Sequence, residues 1–128
     1  MSPEPKVRRI LLIDDDPVTV KLAEVRLKAS GYEVWTSTDA PGGLEKAMKL
    51  KPDLIILDVM MPIVNGYNFC RLLKSHHEHK GIPIVLLTSR SGDEDKKIGR
   101  EVGADAYITK PFDMDNLLNT IKDLVGIG

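Results

Sequence analysis

Short apolar runs alternate along this chain with longer segments whose apolar residues recur every three or four positions. "RRILLID" (8–14), "DLIILD" (53–58) and "IPIVLLTS" (82–89) are apolar nearly throughout, the mark of strands buried on both faces. "YEVWTS" (32–37) alternates more and reads as a strand nearer a sheet edge, and "DAYITK" (105–110) completes the set. Helical period runs through 17–29, 40–50, 66–77, 92–102 and 113–125. The expected inward stripes are Val18, Leu22, Val25 and Ala29, then Leu44, Ala47 and Met48, then Phe69, Leu72 and Leu73. The fourth helix offers only Ile98 and Val102, while the fifth has Leu117, Leu118, Ile121, Leu124 and Val125. Pro17 suits a first helical position, Gly31 a left-handed stop and Asp113 an N-cap. Gly42, Gly43 and Gly99 weaken the helices that contain them.

Strand and helix alternate five times, which implies a parallel sheet covered by helices on both faces. Right-handed crossovers favour the α/β, doubly wound strand order 2-1-3-4-5. In such sheets the ligand site lies beyond the carboxyl ends of the strands, where the winding changes direction. That rim collects Asp14, Asp15 and Asp16 from the first strand, Asp58 from the third, Thr88 and Ser89 from the fourth, and Lys110 with Pro111 from the fifth.

Composition narrows the setting. The 128 residues suffice for one hydrophobic core, and 42% apolar with 29% charged residues argues against disorder. A formal net charge of −1 recruits neither nucleic acid nor anionic lipid, so any charge-driven function rests on a local cluster. One cysteine, Cys70, excludes an internal disulfide and reads as an apolar filler. Residues 1–7 form a loose leader without a signal core, and no stretch reaches transmembrane length, so the chain reads as soluble and cytoplasmic.

The clustered aspartates are the strongest chemical signal. Two carboxylates about 4 Å apart cost roughly 4 kcal/mol at an effective dielectric of about 20. Asp16, just before Pro17, reads as the N-cap of the first helix, which leaves Asp14, Asp15 and Asp58 for the rim. Three carboxylates without histidine or cysteine suit a hard, oxygen-seeking dication, Mg²⁺ or Mn²⁺, rather than zinc. With such an ion, a carboxylate can attack phosphorus and form an acyl phosphate. Lys110 would neutralise charge, and the Thr88 hydroxyl would bind a phosphoryl oxygen.

"ILLIDDDP", "PDLIILDVMMPIVNG", "IPIVLLTS" and "GADAYITKPF" together resemble the signatures of response-regulator receiver domains of two-component signalling, over Arg8 to Val125. The resemblance implies a flavodoxin-like (βα)5 receiver domain over 8–125 and a phosphoryl group accepted by Asp58 from a phosphohistidine. The donor would be a sensor histidine kinase or a histidine phosphotransfer protein. Asp14, Asp15, Asp58 and the Met60 carbonyl would hold Mg²⁺, with Lys110 and Thr88 on the phosphoryl group. Thr88 and Tyr107 would form the switch, and the Lys110–Pro111 bond would be cis. The last two helices and last strand would carry the signal to a downstream protein or a missing output domain, and could support a phosphorylation-dependent dimer. Such a chain catalyses only its own phosphorylation and dephosphorylation. Ser89 stands where alanine is common, and Met60 and Arg90 stand where the family tunes the lifetime of the acyl phosphate.

A phosphatase or phosphotransferase working through aspartyl phosphate is the alternative. It would need a second acid two residues past the nucleophile, where Met60 stands, and a capping insertion for which 128 residues leave no room. A nucleotide or flavin domain would carry glycines or hydroxyls in its first turn rather than three acids, which repel phosphate unless a metal intervenes. "HHEHK" (76–80) reads as a solvated helix end rather than a metal site, and Tyr32 and Trp35 read as packing residues. None of these features suggests nucleic-acid readout, and with only "GIG" after Val125 this chain carries no output domain, as a stand-alone receiver or a portion of a longer protein would.

Overall fold

The computed structural model describes residues 8–58, 66–88 and 93–126. The expected leader (1–7) and Met60, Ser89 and Arg90 lie outside the described residues. In chain order the elements are β1 (Arg9–Ile13), α1 (Pro17–Ala29), β2 (Glu33–Ser37), α2 (Ala40–Leu50) and β3 (Leu54–Asp58). They continue with α3 (Gly66–Ser75), β4 (Ile84–Thr88), α4 (Asp93–Glu101), β5 (Ala106–Thr109) and α5 (Met114–Val125). The strands pair in parallel in the order β2-β1-β3-β4-β5, as expected. The central strands are buried on both faces, which is why they read as unbroken apolar runs.

Successive strand residues feed opposite faces. Ile10, Leu12, Ile56, Val85, Leu87 and Ile108 meet α1 and α5 in one core layer. Leu11, Ile13, Ile55, Leu57, Ile84 and Leu86 meet α2, α3 and α4 in the other. The caps follow the sequence. Asp16 accepts the Val18 N–H at 3.1 Å, Asp113 accepts the Asp115 N–H at 2.9 Å, and Gly31 has φ +96°. Asp39 caps α2 in the same way, accepting the Gly42 N–H at 2.6 Å.

Several expected inward faces turn out differently. α1 buries Ala23 and Leu27, with Val20 half-buried, and leaves Val18, Leu22 and Val25 exposed. The helix has two apolar stripes, and the one holding Val20, Ala23 and Leu27 faces the core. α3 buries Phe69, Cys70 and Leu73 but exposes Leu72. In α2, Ala47 is buried and Leu44 and Met48 pack beside it, while Gly43 has a packing role of its own. A Cβ on Gly43 would lie 2.6 Å from Cδ1 of Ile13, so glycine is what lets α2 sit directly on β1. Trp35, on edge strand β2, is 40% exposed. Tyr32 is buried, with its hydroxyl donating to the Gly126 carbonyl at 2.9 Å.

The histidine run is not uniformly solvated. His76 and His77 are exposed, but His79 is only 4% exposed, and neither of its ring nitrogens has a hydrogen-bond partner among the described residues. A turn after α3 folds it inward: the His79 N–H donates to the His76 carbonyl and the Ile82 N–H donates to the His79 carbonyl, both at 3.1 Å. Cys70 is buried and burial pushes its pKa up to about 11, in keeping with a filler role.

Candidate functional site

The alternation that builds the two core layers also sorts the rim. Leu12, Ile56 and Ile108 face the α1/α5 layer, and continuing each strand by two residues reaches Asp14, Asp58 and Lys110. The three charged groups therefore converge above that layer. The Lys110 ammonium donates to Oδ2 of Asp14 at 2.8 Å and to Oδ2 of Asp58 at 3.4 Å. Thr88 follows Leu86 at the same spacing, so it belongs to the opposite face together with Tyr107, the β5 partner of Leu86.

Asp14, Asp15 and Asp58 each bring an oxygen to within 4.8 Å of the others, with Asp14 and Asp58 buried and Asp15 exposed. The Asp14 side chain is 0% exposed, and its Oδ1 also accepts the Asp16 N–H at 2.9 Å. Asp16 points away from this cluster. Its Oδ2 accepts the Thr19 hydroxyl at 2.6 Å, and that bond, followed by the Val18 N–H, holds its carboxyl below the ordinary value. The triplet thus divides as expected, two acids at the cluster and one on the helix.

Burial would push the pKa of Lys110 down. The hydrogen bond and charge of Asp14, followed by the charge of Asp58, outweigh burial and leave that pKa raised. Lys110 remains a cation and compensates one of three clustered carboxylates. The remaining negative charge matches a dication, and an all-oxygen donor set free of histidine and cysteine fits Mg²⁺ or Mn²⁺. The Lys110–Pro111 peptide bond is cis, as expected. Beside Lys110 a cleft of about 450 Å³ is lined by Thr19, Leu22, Pro111, Phe112 and Met114. It joins the charged rim to the exposed apolar stripe of α1.

Residues 10–122 match the model of the response regulator receiver domain. The chain belongs to this family. It is 40% identical over 117 residues to the transcriptional regulator RpaA of Synechocystis, matching 91% of this chain and 48% of that protein. Protein PilG of Pseudomonas aeruginosa is 40% identical over 114 residues, 89% of this chain and 84% of PilG. The chain spans about half the length of RpaA but most of PilG. Among solved structures, chemotaxis protein CheY4 of Vibrio cholerae superposes with a TM-score of 0.88 at 34% identity, covering 93% of this chain and 99% of CheY4. Receiver domains are signalling modules that bind Mg²⁺ at an acidic pocket, and Asp14, Asp15 and Asp58 form an acidic cluster compatible with such an ion. No helix among the described residues is long and apolar enough to cross a membrane.

The receiver contains one neighbour of the expected switch that the sequence did not suggest. The Tyr67 hydroxyl of α3 lies 3.5 Å from that of Tyr107. Residues 67 and 107 are 40 positions apart and share no local pattern, so only the tertiary fold pairs them.

Proposed function

We propose that Asp58 is the phosphoacceptor of a two-component phosphorelay, taking its phosphoryl group from a phosphohistidine on a kinase or phosphotransfer protein. The observation that carries this reading is a buried carboxylate at the end of a central strand, 3.4 Å from the Lys110 ammonium and clustered with two further acids. An Asp58 oxygen forms the new O–P bond as the donor's P–N bond breaks, and the departing imidazole keeps the electron pair and takes up a proton from water. Lys110 steadies the charge gathering on the phosphoryl oxygens, and the Thr88 hydroxyl donates to one of them. Asp14, Asp15 and Asp58, with the Met60 carbonyl, would hold Mg²⁺. When bound, the ion would offset the repulsion between the acids and the incoming phosphoryl group.

The receiver then acts on itself alone, gaining and later losing the phosphoryl group, and serves as a switch in the cytoplasm rather than as a turnover enzyme. Thr88 shares a sheet face with Tyr107, which supports Thr88 and Tyr107 as the route from the site to the face formed by α4, β5 and α5. That face would meet a downstream protein or output domain, or a second phosphorylated copy. On the donor side, the exposed Val18, Leu22 and Val25 stripe runs into the cleft beside Lys110. A helix bearing phosphohistidine can bury that stripe while its imidazole reaches Asp58.

Acetyl phosphate with Mg²⁺ should add one phosphoryl group, measured by intact mass. The gain should vanish in Asp58→Asn and on chelation of the metal. Equal labelling of Asp58→Asn would overturn the choice of acceptor.

A further inference from the structure

Tyr107 is seated between two helices. Its hydroxyl lies 3.5 Å from the hydroxyl of Tyr67 on α3, and its ring edge lies against the backbone of α4 at Gly99. A Cβ built on Gly99 would fall 2.9 Å from Cδ2 and 3.3 Å from Cε2 of that ring, and 3.5 Å from Cδ1 of Leu86. The first distance is too short for any real side chain, and the obstacle is the rigid edge of a half-buried ring packed against the α2/α3/α4 layer. Glycine in a helix interior weakens the helix, and α4 has few apolar residues with which to compensate. The close approach of the ring gives Gly99 a reason to be there.

We propose that Tyr67 and Gly99 are positioning residues for Tyr107, forming a seat that holds its ring on the inner side of α4 before the phosphoryl group arrives. The inference rests on Tyr107 acting as the switch in the proposed function. The seat stands on the face to which Thr88 belongs, one strand repeat back from it: Leu86 pairs with Tyr107 and Thr88 with Thr109. Tyr67 engages the hydroxyl end of the ring and Gly99 leaves space for its edge, so the two act on different parts of one side chain. A preformed seat lowers the reorganisation that phosphorylation must drive, which favours the competent state before any ligand binds.

The test uses the full chain. In urea unfolding, Gly99→Ala should destabilise the wild type yet stabilise a Tyr107→Ala background, where the ring and its Cδ atoms are gone. The coupling should be about threefold or more in the unfolding constant, the lower range for residues in contact. Equal stabilisation in both backgrounds would overturn the steric role of Gly99. The protein has three tyrosines, so 3-fluorotyrosine labelling gives three ¹⁹F signals, assigned by single replacements. Tyr67→Phe should move the Tyr107 signal and slow labelling by acetyl phosphate about threefold, a change within the coupling range of neighbouring groups. Gly99→Ala should slow it at least as much. An unmoved Tyr107 signal in Tyr67→Phe overturns the part of Tyr67 in the seat, and labelling rates equal to wild type in both variants overturn the link to the site. If the wild type takes up no phosphoryl group, the acceptor assignment fails, while the unfolding cycle and the ring signal still decide whether the seat exists.

Discussion

On one side of the sheet, α2 and α4 come so close to what they cover that Gly43 and Gly99 have no room for a side chain. On the other side, α1 rests on Ala23 and Leu27 and leaves Val18, Leu22 and Val25 in solvent. The tight face carries Thr88 and Tyr107, and the open face carries Asp14, Asp58 and Lys110. The difference separates tasks. A close-packed layer has little room to absorb a displaced side chain locally, which is what the proposed switch at Thr88 and Tyr107 would use. The other face gathers charge at its rim, and the outer side of its helix α1 keeps apolar surface exposed.

The largest effect should come from removing the cation on the open face. Lys110→Met leaves Asp14 buried without its ion-pair partner and the three carboxylates uncompensated. The loss should be about 3 kcal/mol in urea unfolding under chelation, the scale for breaking a buried pair, and Mg²⁺ should restore part of it. The raised pKa of Lys110 adds a pH signature. Its stabilisation is fully present below the unfolded lysine value of about 10.4 and is lost as pH rises through the higher folded value. Wild type should therefore lose stability through that alkaline window, and Lys110→Met should lack this component. A wild type and variant with parallel alkaline profiles would show that the pair adds no stability.

The tight face should respond to volume. Gly43→Ala drives a methyl group into Ile13 and should cost about 2 kcal/mol, as overpacking of a filled core does. An alanine that instead stabilises α2 through helix propensity would show that this layer can yield, and the contrast between the faces would lose its basis. A smaller effect of opposite sign belongs to His79, whose buried ring leaves both nitrogens without partners among the described residues. His79→Leu should gain about 1 kcal/mol in the same assay, because an unsatisfied buried polar group is replaced by an apolar one. A loss of stability there would mean that the imidazole makes an interaction worth more than its desolvation costs.

How much of this was legible in the sequence depended on whether the signal was local. Strand order followed from unbroken apolar runs and right-handed crossovers, and Asp16 was told apart from Asp14 and Asp15 by the proline beside it. The rim was legible because strand ends sit together in a parallel sheet whatever the side-chain details. The inward face of α1 was not, since Val18, Leu22, Val25 and Ala29 fit the period as well as Val20, Ala23 and Leu27. Periodicity alone cannot choose between two stripes of the same spacing and similar size; only the packed helix shows which one is covered. Polar neighbours make His79 read as solvated, but the four-residue turn 76–79 tucks it in. Gly43, Gly99 and Tyr67 earn their places through contacts with Ile13 and Tyr107, far away in the chain.

The exposed stripe of α1 gives the smallest stability effect and the sharpest functional one. Leu22 is 61% exposed and lines the cleft beside Lys110, so it adds little to folding. Leu22→Ser should change unfolding free energy by no more than about 0.5 kcal/mol, as surface substitutions do. Acetyl phosphate is too small to use the stripe, so its labelling of Asp58 should be unchanged. Transfer from a phosphorylated histidine phosphotransfer protein should slow about tenfold, the equivalent of about 1.4 kcal/mol of lost interface contact. The ratio of the two rates is the measurement that matters. If both fall together, Leu22 shapes the site itself; if neither falls, the donor approaches from elsewhere and the open face has another purpose. A selective loss would tie the poor burial of α1 to its use, because a helix that buried Leu22 against the sheet could not offer it to a partner.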